Sequence, residues 1–304
     1  MAELRGILPA LVTPFDAAGQ FNPAACERLV ERLYRAGVHG LYVCGTTGEG
    51  MLQTVAERKI VTELVLGMTP KGQPENKQVI VHVGAACLNE AIELARHAAR
   101  FGATAVSSLP PAGPYSFEDI RSYYQSLAGA TELPLLIYFM PAGGVSFTSI
   151  AQILELCAIP NVAGLKFTDH DMYKLSEVKQ SGAVVFNGYD EVICAGLLMG
   201  ADGGIGSFYN LVPGLFLKLY DEARSGQWGE ARETQRRINE LITLTLHFPL
   251  FGALKAILGW SGIDCGPVRG PRRNLTDGES RELRRMLDES GFEEILGLTG
   301  RNLS

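Results

Sequence analysis

Lys166 is the one charged side chain in the run Val162-Ala-Gly-Leu-Lys-Phe-Thr168. Strand alternation turns Gly164, Lys166 and Thr168 to a single face. If that face lines a closed interior, the low dielectric disfavours the ammonium, and a neutral lysine amine attacks carbonyl carbon to form a Schiff base. The competing reading is a strand-end lysine that reaches water or an acid. Tyr138, in Pro134-Leu-Leu-Ile-Tyr-Phe139, shares a face with Leu136 and Met140 by the same alternation. Its phenol suits a proton relay, or else a wall aromatic with a satisfied hydroxyl.

Three glycine-containing stretches add polar groups. Gly45-Thr46-Thr47-Gly48-Glu49 offers two hydroxyls and open backbone able to hold a small carboxylate, while Thr54 and Glu57 just beyond it form a capping-box pair. Asn187-Gly188-Tyr189-Asp190-Glu191 carries two acids that read either as helix-start residues or as ligands for sugar hydroxyls. Gly200-Ala-Asp-Gly-Gly-Ile-Gly206 resembles a phosphate loop but lacks a following lysine. Close backbone packing ahead of Ser207 is the better reading of it.

These stretches have to be positioned, and the sequence alternates short apolar runs with amphipathic ones. Strands are expected at 6–12, 38–44, 78–83, 103–108, 134–139, 162–168, 184–187 and 203–207. Helical patterns fall between them, at 23–36, 55–67, 89–101, 116–129, 148–157, 172–179 and 190–199. Asn22-Pro23 and Ser116 mark starts, and Gly37 and Gly102 mark stops. Eight such units argue for an α/β fold of the (β/α)₈ TIM-barrel type. A doubly wound sheet is the alternative, but no G-x-G-x-x-G follows the first strand. Further helical patterns at 213–225, 228–246, 251–260 and 276–290 divide the chain into a barrel, 1–226, and a C-terminal helical extension packed on it, 227–304. Every stretch singled out for chemistry then lies at the C-terminal end of a strand, where barrels of this type carry their working residues.

The 304 residues are 46% hydrophobic and 20% charged, with 27 basic and 33 acidic side chains and a formal charge of −6. That balance offers no basic surface for nucleic acid or anionic membrane. The six cysteines lie far apart without a C-x-x-C pair, so buried reduced thiols are expected rather than disulfides or a metal site. The N-terminal stretch does not read as a signal peptide, and a cytoplasmic setting is expected.

Taken in order and at their spacing, Gly45-Thr-Thr-Gly-Glu-Gly50, Tyr138 before Met-Pro, Gly164-Leu-Lys166 and Phe186-Asn-Gly-Tyr-Asp-Glu191 resemble one family. It is the N-acetylneuraminate lyase and dihydrodipicolinate synthase superfamily of class I aldolases, and the likeness spans essentially the whole chain. The resemblance implies a cofactor-free carbon–carbon lyase in which Lys166 forms the imine and Tyr138 relays protons. Thr46 and Thr47 would bind the substrate carboxylate, with Thr47 also hydrogen-bonded toward the tyrosine. The Asn187–Glu191 stretch looks like the sialic acid branch, where Thr168, Gly188, Asp190, Glu191 and Ser207 would hold a polyhydroxylated tail. The implied reaction is cleavage of N-acetylneuraminate to pyruvate and N-acetylmannosamine. The alternatives are another 2-keto-3-deoxy sugar acid or a dihydrodipicolinate synthase-like condensation. The family also implies a homotetramer, a small 2-oxo acid as substrate, and no metal.

Two departures from the family pattern stand out. Leu109-Pro-Pro-Ala-Gly-Pro-Tyr115 has Ala112 and Gly113 where many members place a tyrosine donated across a subunit interface. Met140-Pro-Ala-Gly-Gly144 has Ala142 where the synthase branch carries an arginine, which counts against a role in lysine biosynthesis.

Overall fold

The computed structural model describes residues 4–70, 72, 77–143 and 147–298. The final glycine of the Met140–Gly144 stretch lies outside them, as do the outer ends of the 1–226 and 227–304 ranges.

Eight strands alternate with eight helices: β1 (Gly6–Pro9), α1 (Pro23–Ala36), β2 (Gly40–Val43), α2 (Val55–Met68), β3 (Gln78–His82), α3 (Leu88–Phe101), β4 (Ala105–Ser108), α4 (Phe117–Ala128), β5 (Leu135–Phe139), α5 (Ile150–Cys157), β6 (Val162–Phe167), α6 (Met172–Gln180), β7 (Val184–Asn187), α7 (Ile193–Leu198), β8 (Gly203–Gly206) and α8 (Pro213–Arg224). Four more helices follow: α9 (Trp228–Leu246), α10 (Leu250–Trp260), α11 (Asp277–Glu289) and the one-turn α12 (Glu293–Leu296). All strand pairs are parallel, in the order β1-β8-β7-β6-β5-β4-β3-β2. A parallel bridge between Ala10 and Tyr42 brings β1 against β2. The chain is a (β/α)₈ barrel, as its alternation of elements indicates.

Local chemistry accounts for many element boundaries. Asn22 caps α1 through Ala25 N, with proline at the first helical position. Thr54 with Glu57, Ser116 with Asp119, Ser149 with Gln152 and Thr276 with Glu279 form reciprocal capping boxes that start α2, α4, α5 and α11. The α1 and α3 helices end at Gly37 and Gly102, both left-handed. Most strands are shorter than their apolar runs: β1, β2, β3, β6 and β8 end before the run does, the remainder entering the mouth of the barrel, whereas β2, β4 and β5 begin after the run has begun.

The core has two layers. One lies between sheet and helices and takes Ile7, Leu41, Val43, Ile137, Leu165 and Val185 with the inner faces of the helices. The other fills the barrel and takes Leu8, Tyr42, Ile80, Leu136, Tyr138, Phe186 and Ile205. This alternation puts one side of every strand inside a water-poor space. All six cysteines are free thiols. Cys26, Cys44 and Cys265 are buried, Cys157 and Cys194 partly so, and Cys87 is exposed, contrary to the expectation of burial. Cys87 is the N-cap of α3, where the chain has already left the barrel mouth. Among the described residues, no single helix is long and apolar enough to cross a membrane.

Candidate active site

Lys166 and Tyr138 are register partners on the adjacent strands β6 and β5. Both point into the barrel, at 4% exposure each. Lys166 Nζ donates to Thr168 Oγ1 at 3.0 Å and stands 3.9 Å from the centroid of the Tyr138 ring. The ring face is electron-rich, which suits a cationic neighbour. Burial raises the Tyr138 phenol. The positive charge of Lys166 and hydrogen bonds involving Thr46, Lys166 and Thr168 outweigh it and leave the phenol below its ordinary value. A phenol so placed gives up its proton more readily than a free tyrosine, which favours the phenolate form that can then accept one.

The Gly45–Glu49 turn closes one side. It is bracketed by two residues in the left-handed region, Cys44 (φ 59°) and Glu49 (φ 55°), a conformation uncommon for side-chain-bearing residues and one that clusters at functional sites. Thr46 Oγ1 lies 3.5 Å from Tyr138 Oη, and Thr47 Oγ1 lies 2.6 Å from Ser207 Oγ after β8. The expected bond from Thr47 to the tyrosine is therefore corrected. Successive side chains of the turn point apart, so Thr46 meets β5 while Thr47 meets β8.

Opposite this turn, Asp190 and Glu191 follow β7. Both acids stand in the first turn of the 3₁₀ segment Asp190–Val192, and the Asp190 side chain reaches across to β8, where its Oδ2 accepts from Phe208 N, at the start of the 3₁₀ turn Phe208–Asn210, at 2.8 Å. A Cβ on Gly206 would stand 1.7 Å from Asp190 Oδ1, and one on Gly188 would stand 2.0 Å from Thr168 Oγ1. Both glycines are thus required by close approach. Burial raises the Asp190 carboxyl to about 7, against smaller lowering effects of its backbone hydrogen bonds. Glu191 is half-buried and faces His170 Nε2 at 3.5 Å, and the His170 ring stacks on Tyr189 with centroids 4.4 Å apart.

All nine residues singled out from the sequence, Thr46, Thr47, Tyr138, Lys166, Thr168, Gly188, Asp190, Glu191 and Ser207, line one cavity of about 270 Å³. The loop 109–115 contributes no lining residue to this cavity among those described. Other lining residues were not singled out. Tyr42 enters from β2, where alternation alone could have found it. Ile242 and Leu246 of α9, with Leu250 and Phe251 of α10, wall the outer end. Leu246 is 55% exposed beside the buried Ile242 and Thr245, an exposure that exists only in the folded chain and leaves no mark in the apolar run at the end of α9.

His82 was also unmarked. Its ring stands edge-on to Tyr138 with centroids 6.0 Å apart, and burial, Arg58 and Lys166 hold it well below its ordinary value, hence neutral. His82 Nε2 accepts from Leu109 N at 3.0 Å, and Arg58 Nη2 donates to His82 O at 2.6 Å. The pair braces the strand ends around the tyrosine.

Behind the threonine turn lies a buried ion pair, Glu49 Oε1 with Lys255 Nζ at 2.8 Å, the carboxylate fully buried and the ammonium nearly so. The segment after α10 folds over it. Arg269 N donates to Glu49 Oε2 at 2.8 Å, and Arg272 Nη2 donates to Thr46 O at 3.0 Å. The C-terminal helices and this strap therefore shape the site as well as packing on the barrel. Among the described residues, no cluster of three His, Cys, Asp or Glu side chains is placed to hold a metal ion.

A buried lysine amine, a phenol with enhanced acidity, paired hydroxyls and two acids around one cavity are the groups that carbonyl condensation on a barrel calls for. Residues 3–290 match the model of the dihydrodipicolinate synthetase family, and the chain belongs to that family. It is a carbon–carbon lyase of the class I aldolase type. Among its relatives, the N-acetylneuraminate lyase of Rhizobium meliloti is 36% identical over 285 residues, 93% of this chain and 94% of that one. The N-acetylneuraminate lyase of Citrobacter koseri is 36% identical over 271 residues, 88% and 90% of the two chains. Among solved structures, CdNal from Clostridium difficile in complex with mannosamine superposes with a TM-score of 0.89 at 29% identity, covering 95% of this chain and 100% of that one. The Ruminococcus gnavus sialic acid aldolase, solved as a catalytic lysine mutant, gives 0.87 at 30%, covering 95% and 97%. A dihydrodipicolinate synthase also gives 0.87, at 26% identity, covering 95% and 99%.

Proposed function

We propose that the chain cleaves N-acetylneuraminate to pyruvate and N-acetylmannosamine through an imine on Lys166. The observation that carries this reading is the meeting, in one cavity, of Lys166 and Tyr138 with the acids Asp190 and Glu191. The first pair suits chemistry on a 2-oxo acid, and the second suits hydrogen bonding to a hydroxylated tail. The 36% identity to N-acetylneuraminate lyases supports the same substrate.

In this mechanism the Lys166 ammonium first gives up a proton, its Nζ lone pair adds to the C2 ketone, and that proton leaves with the resulting hydroxyl as water, giving an iminium that acts as an electron sink. Thr46 and Thr47 hold the carboxylate. Tyr138 Oη removes the proton of the C4 hydroxyl, the C3–C4 bond breaks, and its electron pair forms the enamine while the aldehyde departs. Protonation of C3 and hydrolysis of the imine release pyruvate and restore the lysine. Thr168, Gly188, Asp190, Glu191 and Ser207 orient the tail so that C4 faces the phenol. The lysine imine supplies the activation, so this scheme calls on no metal or organic cofactor. A cytoplasmic homotetramer is part of the same proposal, to be checked by fractionation and by light scattering in solution.

The test is borohydride reduction in the presence of pyruvate, followed by peptide mass mapping. A reduced adduct on Lys166 is expected, and an adduct on another lysine, or none, refutes the assignment. A panel comparing N-acetylneuraminate with simpler 2-keto-3-deoxy sugar acids tests the substrate. A clear preference for a shorter or unacetylated acid would move the reading to the alternative aldolase.

A further inference from the structure

The two acids of the tail site sit on a 3₁₀ turn, Asp190–Val192, without a side-chain cap at its start. The backbone of that turn is held from outside the barrel by α9. Gln235 Nε2 donates to Asp190 O at 3.0 Å, and Asn239 Nδ2 donates to Glu191 O at 3.0 Å. Gln235 Oε1 accepts from Cys194 N at 2.9 Å, which ties the start of α7 to the same amide. Gln235 Nε2 also donates to Asn239 Oδ1 at 2.8 Å. That bond leaves the Asn239 amide with its Nδ2 directed at Glu191 O. Gln235 is buried, so a side chain that could not make these bonds would leave the turn's carbonyl short of a donor.

Gln235 and Asn239 lie one turn apart, and Ile242 and Leu246 continue the spacing of four, three and four along the same face of the helix. The two apolar members wall the cavity. One stripe of α9 thus both fixes the acids and shapes the space that a tail occupies.

We infer that Gln235 and Asn239 are positioning residues that set the Asp190 and Glu191 acceptors, and so the preference for substrates with a polyhydroxylated tail over plain 2-oxo acids. This rests on the tail reading proposed above. Neither amide reaches Lys166 or Tyr138, so the imine step is independent of them, whereas orientation of the tail is not.

The experiment uses Gln235→Met and Asn239→Leu, which keep volume and remove the donors, with Glu191→Gln alongside. Cleavage of N-acetylneuraminate and of 2-keto-3-deoxygluconate is measured, together with pyruvate-dependent inactivation by borohydride. The expected result for the α9 variants is a loss in kcat/KM for the long-tailed acid of about tenfold, the size of one misplaced hydrogen bond. Borohydride inactivation with pyruvate should match wild type. Equal loss of both readouts in Gln235→Met and Asn239→Leu would overturn the inference, since the amides would then support the barrel in general. Asn239 is only half-buried, so its variant decides the matter if Gln235→Met fails to fold. If Glu191→Gln weakens cleavage while the α9 variants do not, the positioning role alone is overturned. If Glu191→Gln leaves cleavage unchanged, the tail reading falls and takes the inference with it.

Discussion

Lys166 and Tyr138 occupy the same register on neighbouring parallel strands, with the amine 3.9 Å from the centre of the phenol ring. Side chains at matched positions of adjacent strands project to the same face, so the strand pairing alone brings nucleophile and proton carrier together. Tyr138→Phe keeps the ring and its contact with the lysine while removing the proton carrier. Pyruvate imine formation should persist, and cleavage should fall by about 10²–10⁴-fold, the usual contribution of general acid–base catalysis. Rapid-quench kinetics with borohydride trapping separates the two steps. Parallel loss of both would place the phenol in imine formation instead.

The Asp190 carboxyl is raised by burial from 3.8 to about 7. A raised folded-state value means that the folded chain binds the proton more tightly than the unfolded one. Its stability contribution is full below about pH 4 and is lost as pH rises through about 7. Relative to Asp190→Asn, which does not titrate, the wild type should lose stability across that window, on the order of 4 kcal/mol by linkage. Urea unfolding of both proteins from pH 4 to 8 measures the difference. A difference that stays flat with pH would show that the carboxyl keeps its ordinary value.

Gly206→Ala places a methyl group 1.7 Å from Asp190 Oδ1. Since backbone holds the other carboxylate oxygen, the clash must move either the turn or β8. A cost of about 1–3 kcal/mol is expected, as for overpacking elsewhere. Thermal melting reports it, and an unchanged melting temperature would contradict this account of the β8 glycine.

Glu49 and Lys255 are a buried pair whose partners come from opposite ends of the chain. Lys255→Met takes the near cation from the buried carboxylate, leaving it Arg269 N and the Arg272 guanidinium 3.9 Å away, and should cost up to about 3–5 kcal/mol, whereas adding Glu49→Gln should recover much of that loss. Denaturant titration of the single and double variants tests the coupling. An additive double variant would mean that the two charges act independently.

Much of this arrangement is legible in the sequence because it is local. The apolar period changes between strand and helix, Asn22, Thr54 and Ser116 announce helix starts, and alternation around Lys166 and Tyr138 indicates which side chains share a face. Given eight such units, the barrel and the clustering of strand-end residues at its mouth follow from chain geometry. The choice between a solvated and an enclosed Lys166 is not local, since a strand presents the same residues to either side until a closed sheet makes one side the interior.

Contacts far apart in sequence were decided by the tertiary structure alone. Whether Thr46 or Thr47 approaches Tyr138 depends on how a six-residue turn with two left-handed residues is clamped by Arg269 and Arg272, more than two hundred residues away. The burial that raises Asp190 arises only when β8 approaches it, with glycine at 206. The amphipathic pattern of α9 marks it as a helix, but it carries no sign that Gln235 and Asn239 would meet the carbonyls of Asp190 and Glu191. Periodicity encodes the faces of each element. Which faces meet is set by packing the whole chain, and that packing gives Lys166, the lone charge of its run, its surroundings.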